Sequence, residues 1–177
     1  MYARRAGAVT PPEGTQQKSL PPPIRLLGAS RVSIKRPYEL LVIDDNPADA
    51  DLVRHTIRRM ELAVSLTHAS DAEEATALGL ARVAAREPLP DLAFVDINLP
   101  GMSGLDMLRE WKREPQLTRI PVVVLSSSRS PLEVLRTYDL SCAAFVQKPG
   151  NLAGYRALLG SVAAFWFGVA TLPSRVE

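Results

Sequence analysis

Five short, almost unbroken apolar runs recur along residues 38–170, and each is followed by a segment with helical apolar spacing. No other feature constrains the chain as much. A strand without polar alternation must be covered on both faces, and helices between successive strands demand parallel crossovers. The first run, residues 39–43 (ELLVI), ends in Asp44-Asp45. Asn46-Pro47 then offers a helix cap and a proline tolerated in the first turn, with Ala48, Leu52, Ile57 and Met60 on one face. Residues 63–67 form a second strand. Ser70 or Asp71 caps a helix running to about residue 86, whose acidic first turn suits the helix dipole. The third strand, 91–97 (DLAFVDI), leads into the turn-rich loop 98–104 (NLPGMSG) and a helix marked by Leu105, Leu108 and Trp111. Strand 121–125, helix 131–139, strand 143–147 and a last helix 152–170 complete the pattern. The expectation is an α/β chain: (βα)5, a doubly wound five-stranded parallel sheet.

Residues 1–36 break this pattern. Pro11, Pro12, Pro21, Pro22 and Pro23 punctuate them, and seven Lys/Arg stand against Glu13 alone. They read as a disordered, Pro-rich basic tail ahead of a folded domain at 37–172, with 173–177 a short C-terminal tail. The folded part carries 14 basic and 18 acidic side chains, so the basic balance belongs to the tail and no nucleic-acid partner is expected. The apolar run at 162–172 is too short to span a bilayer. Cys142, the single cysteine, excludes a disulfide framework and reads as a small buried hydrophobe. A cytoplasmic protein is expected.

In open sheets of this class the chemistry lies at the carboxyl ends of the strands. The residues there are Asp44, Asp45, Asp96, Ser126 and Lys148. Each alone has a plainer reading, the acids as caps or turn formers and the lysine as surface charge. Their coincidence at one end of four strands carries the weight. Three close carboxylates repel one another unless a cation binds, and a hard divalent ion such as Mg²⁺ takes oxygen ligands. With Lys148 as a fixed positive charge and Ser126 as a hydroxyl donor, the set suits a phosphoryl group in flight. Asp96 is the candidate nucleophile, forming an acyl phosphate, while Asp44 and Asp45 serve the metal.

The segments LLVIDDNPAD, LAFVDINLPGMSG, VVVLSSS and AFVQKP resemble the signature segments of response-regulator receiver domains, and the resemblance covers about residues 38–170. It implies the flavodoxin-like receiver fold. It also implies that Asp45 is the more direct Mg²⁺ ligand of the acidic pair, that Asp96 is the phosphoacceptor, and that the backbone carbonyl of Asn98 completes the metal site. Ser126 would bond the phosphoryl oxygen, Lys148 would ion-pair with it, Phe145 would swing inward as a switch, and Lys148-Pro149 would be cis. DDNPADADLVR, TYDL at 137–140 and the ending AAFWFGVATLPS are similar to small standalone regulators paired with phytochrome-type histidine kinases.

The resemblance implies a sensor histidine kinase as partner and catalysis limited to the protein's own phosphorylation and dephosphorylation. Few residues follow position 170, so output is expected through a partner or a changed oligomer. The face of helix 131–139, strand 143–147 and the last helix is the family's usual interaction surface, and a homodimer is expected there. Phe165, Trp166 and Phe167 cannot all face one side of a helix, so one is expected outside. Two other readings compete. A haloacid-dehalogenase-type phosphatase would need an acid two residues after Asp96, where Asn98 stands. A receiver-like interaction module that is never phosphorylated would normally have lost a site residue.

Overall fold

The computed structural model describes residues 36–175. Residues 1–35, which hold nearly all of the expected basic tail, lie outside the described residues. Strand β1 (Tyr38–Ile43) is followed by helix α1 (Pro47–Arg59), β2 (Val64–Ala69), α2 (Ala72–Ala85), β3 (Leu92–Val95), α3 (Gly104–Trp111), β4 (Val122–Ser126), α4 (Pro131–Asp139), β5 (Ala144–Gln147) and α5 (Leu152–Val162). The strands form one parallel sheet in the order β2-β1-β3-β4-β5. The expected doubly wound architecture is what the chain adopts.

Strand periodicity divides the core between the two faces of the sheet. Leu41, Ile43, Ala93, Val95 and Val124 meet Met107, Leu108 and Trp111 of α3 on one side. Leu40, Val42, Phe94, Val123 and Leu125 meet Val53 and Ile57 of α1 and Tyr155 and Leu159 of α5 on the other. The continuous apolar runs were the sequence image of this two-sided burial. The caps also fall where the side chains dictate. Asn46 accepts the N–H of Ala48 ahead of α1, and Asp71 rather than Ser70 accepts the N–H of Glu74 ahead of α2. Helix α4 is the least covered: Thr137 is its buried residue, while Leu132, Leu135 and Tyr138 stand exposed along one side.

Two details differ from the expectation. The last helix does not stay α-helical to residue 170. After Val162 the segment Ala163–Phe167 widens into a π-helix, and the Val169 and Ala170 N–H groups both donate to the Phe165 carbonyl oxygen. Apolar spacing does not distinguish the two geometries, because both leave an apolar stripe on the core. The widened turn sends Trp166 and Phe167 against the α1/α5 side of the core and leaves Phe165 54% exposed. The Lys148–Pro149 peptide is trans, as is every other among the described residues. Trans is the lower-energy isomer before proline, and only a surrounding structure that demands the other turn reverses it.

Residues 172–175 are tied beneath the sheet, at the end opposite Asp44 and Asp96. Leu172 is buried. Arg175 pairs with the fully buried Asp91 at 2.8 Å and lies 4.4 Å over the Tyr38 ring, which itself stacks on Phe167 at 4.5 Å. Arg36 and Ser174 also bond Asp91.

Candidate functional site

Backbone pairing sets the positions of the strand-end residues before any side chain is considered. Asp44 N–H donates to the Ala69 carbonyl, Asp96 N–H to that of Ile43, and Lys148 N–H to that of Ser126, at 3.1, 2.9 and 2.9 Å. Each residue just past its strand is thus still held by the neighbouring strand. Immediately beyond, the chain turns the same way twice. The Asn46 N–H donates to Asp44 Oδ1, and the Asn98 N–H donates to Asp96 Oδ1, both at 3.1 Å. One oxygen of each buried acid is fixed by its own loop, and the other is left to face the site.

Those second oxygens meet Lys148. Its Nζ lies 2.6 Å from Asp96 Oδ2, 2.7 Å from Asp44 Oδ2 and 2.8 Å from Oδ2 of Asp49. Asp44, Asp45 and Asp96 each place a carboxylate oxygen within 4.8 Å of the others, a cluster able to hold a metal ion. Asp45 is the exposed member and Asp44 and Asp96 are buried. Burial pushes the Asp44 carboxyl above the ordinary carboxylate range and the charge of Asp96 adds to this, against the opposing hydrogen bonds from Lys148 and the Asn46 N–H. Burial pulls the Lys148 ammonium down, but the carboxylates of Asp44, Asp49 and Asp96 more than reverse it and keep it cationic. An acidic cluster with a captive ammonium favours a hard cation and a phosphoryl-type anion together.

The sequence-expected residues are brought together to different degrees. Asp44, Asp45, Asp96 and Lys148 converge. Ser126 ends β4 at the same edge of the sheet, fully buried, with its hydroxyl accepting the Ser128 N–H at 3.2 Å. Asn98 is exposed at the start of the loop after Asp96. Phe145 is half-buried on β5 against the α2/α3 side of the core, and its N–H reaches the Tyr138 hydroxyl at 3.5 Å. Cys142 is buried as expected, and burial pushes its thiol up to about 11, which keeps it inert.

Three contributors were not anticipated. Asp49, in the first turn of α1, supplies the third carboxylate on Lys148. Its only sequence signal was an acid five residues after Asp44, which a helix dipole explains as well. His68 Nε2–H donates to the Asp44 carbonyl at 2.9 Å from the neighbouring strand. Gly104 is the third: its own N–H donates to the Ile97 carbonyl, and a Cβ at its position would lie 2.1 Å from the Asp96 carbonyl oxygen. The glycines of NLPGMSG read as turn formers, whereas this one is a packing glycine.

The model of the response regulator receiver domain matches residues 40–159, the span that contains every residue of this cluster. The chain belongs to the response-regulator receiver family. Response regulator Rcp1 of Synechocystis sp. is 32% identical over 146 residues, covering 78% of this chain and 95% of Rcp1. The crystal structure of the Mn²⁺-bound form of Rcp1 superposes with a TM-score of 0.67 at 31% identity, covering 77% of this chain and 99% of that one. The structure of the phosphorylated cyanobacterial phytochrome response regulator RcpA gives 0.69 at 33% identity, covering 77% and 98%. The resemblance to phytochrome-linked regulators is thus upheld by these relatives, and the dehalogenase-type phosphatase reading is disfavoured. As a receiver domain, the chain is a signalling protein whose partner class is the histidine kinase. Among the described residues no helix is long and apolar enough to cross a membrane.

Proposed function

We propose that this receiver domain takes a phosphoryl group from a histidine kinase onto Asp96 in a Mg²⁺-dependent reaction, and that a phytochrome-type kinase is the donor. The observation that carries the reading is the Lys148 ammonium 2.6 Å from Asp96 Oδ2, within a cluster of three mutually close carboxylates. An Asp96 carboxylate oxygen attacks phosphorus, the P–N bond of the phosphohistidine breaks, and its electron pair leaves on the imidazole nitrogen. Lys148 balances charge on the transferring group. Asp44, Asp45 and Asp96, with the Asn98 carbonyl, would hold the ion, and their hard oxygen chemistry fits Mg²⁺. When bound, the ion neutralises the acids and the phosphoryl oxygens. The Mn²⁺ in the Rcp1 structure and the phosphorylated state of RcpA support this assignment by kinship.

The added dianion then draws the Ser126 hydroxyl toward it. That frees the Ser128 N–H and lets Phe145 turn inward beneath α4, a two-state shift biased by contacts that differ between the states. The exposed stripe on α4, with β5 and α5, is the homodimer face of the active protein, acting in the cytoplasm. Catalysis is confined to the protein's own phosphorylation and its reversal.

The test is incubation with acetyl phosphate and Mg²⁺, read by intact mass beside Asp96→Asn. A Mg²⁺-dependent gain of one phosphoryl group (~80 Da for HPO₃ on a carboxylate nucleophile), lost in the variant, is expected. No gain in the folded wild type would instead assign the chain to an unphosphorylated interaction module.

A further inference from the structure

We infer that Asp49 is a positioning residue that anchors the Lys148 ammonium while the metal and the phosphoryl group take the lysine's other two partners. The inference rests on the reading of Asp96 as phosphoacceptor.

An ammonium has three N–H donors, and Lys148 directs its Nζ at three carboxylate oxygens, those of Asp96, Asp44 and Asp49. The contacts with Asp49 and Asp96 are hydrogen bonds, and Asp44 is the third ion-pair partner. In the proposed reaction two of these partners change. An Asp96 Oδ becomes the bridging oxygen of the acyl phosphate, and Asp44 belongs to the acidic cluster that serves the cation. Asp49 is claimed by neither, so it alone can hold the ammonium through the whole cycle.

Local structure makes the anchor rigid. Asn46 caps α1 and Pro47 starts it, which places Asp49 at its third residue. Its side chain is 27% exposed and, with Asp44, Asp96 and Tyr155, lines a small cavity beneath the site. The helix dipole explains why an acid is tolerated there, but it does not explain the aim. Asp51, two residues on, turns to solvent and pairs with Arg54 on the helix surface. Asp49 reaches across 99 positions of sequence to Lys148. A lysine has a flexible four-carbon stem, and its charge helps the transition state only where the equatorial oxygens develop theirs. A fixed carboxylate behind it confines the ammonium to that place.

The experiment is a time course of acetyl-phosphate phosphorylation by intact mass on the full chain. It compares wild type, Asp49→Asn, Lys148→Ala and the double variant, with thermal melts of each. Asp49→Asn is expected to slow phosphorylation on the order of tenfold. It is expected to add nothing in the Lys148→Ala background, and Asp49→Glu should recover part of the rate. Asp49→Ser, which also suits a helix start, gives the same readout if the amide disturbs folding. A single-variant rate equal to wild type overturns the inference. So does an equal slowing in the Lys148→Ala background, since Asp49 would then act without the lysine. A loss of Mg²⁺ affinity of about tenfold or more by calorimetry, the size expected of a metal ligand or its orienting partner, would make Asp49 part of the metal site and also overturn it. Wild type that takes no phosphoryl group, or Asp96→Asn that takes as much, would instead refute the phosphoacceptor reading, and the inference with it.

Discussion

Gly104 packs its α-carbon on the backbone carbonyl of Asp96, so closely that a Cβ there would lie 2.1 Å from the Asp96 oxygen and 3.0 Å from a Val95 methyl. The neighbour is backbone and cannot rotate aside. The N-terminus of α3 therefore rests directly on the peptide that presents the proposed phosphoacceptor. Gly104→Ala is expected to destabilise the fold by about 1–3 kcal/mol, the usual cost of overpacking. Phosphorylation should also slow, because Asp96 must shift to make room. Urea melts and the acetyl-phosphate time course check both. A variant that melts with wild type and reacts at its rate would show that α3 can move off Asp96 at no cost.

The acidic cluster should cost the metal-free protein stability. Burial raises the Asp44 carboxyl above its ordinary value, so the folded state disfavours its ionised form. For a raised carboxyl the sign is plain: stability grows as pH falls through its folded value, and at neutral pH the charge is a net burden. Asp44→Asn is therefore expected to melt at a higher temperature than wild type in a chelator. With saturating Mg²⁺ the order should reverse, because binding stabilises only the chain that keeps the ligand. A variant less stable than wild type in chelator would mean that the Lys148 pair outweighs the burial.

How far these residues could be seen in the sequence depended on which part of the backbone carries them. Asp44, Asp96 and Lys148 follow apolar runs that could only be buried strands, and parallel strands put their carboxyl ends together. Locating the strands located the site. Asp49 sits on a helix, and whether it faces the lysine depends on how α1 is rotated against the sheet, which one face of apolar residues leaves loose by a residue or so. Gly104 was one of several glycines in a turn-rich loop, and only the approach of α3 to β3 separates it from its neighbours. The π-helix at Ala163–Phe167 left no local mark, since the apolar stripe continues through it. Asp91 was invisible as a hub, because its partners Arg36 and Arg175 come from opposite ends of the described residues.

That hub makes a prediction about acid. Burial would raise the Asp91 carboxyl, but hydrogen bonds from Arg175, Ser174 and the Glu39 N–H, with the charge of Arg36, outweigh it and hold the group below its ordinary value of 3.8. A depressed carboxyl contributes stability that is present above the unfolded value and is lost as pH falls through the lower folded value. Glu39 is depressed as well: its burial is outweighed by Arg82 and Thr67. Wild type should lose stability progressively below about pH 4. Asp91→Ala should cost about 3 kcal/mol at pH 7 and flatten that acid limb. A chain ending at Leu172 should lose a large part of the same stability, since it lacks Ser174 and Arg175. Urea midpoints across pH decide it, and an unchanged acid limb in Asp91→Ala would remove Asp91 from the account.

The large apolar residues that are more than half exposed fall in two places, and the dimer proposal separates them. Leu132, Leu135 and Tyr138 recur three residues apart on α4 and are each more than half exposed. Phe165 and Val169 stand exposed on the last helical turns. A helix with one buried residue and an apolar outer stripe is poorly explained by folding of the monomer alone. Leu135, at 62% exposure, can be changed without emptying any core space. Leu135→Arg is therefore expected to leave the melting temperature of the unphosphorylated chain within about 2 °C of wild type, as for other surface substitutions. Light scattering on the phosphorylated protein should nevertheless show the mass falling from dimer to monomer. Phe165→Ser is the control on the other patch and should leave the dimer intact. If Phe165→Ser dissociates the dimer while Leu135→Arg does not, the contact lies on the last helical turns, and the α4 stripe is left for a partner of another kind.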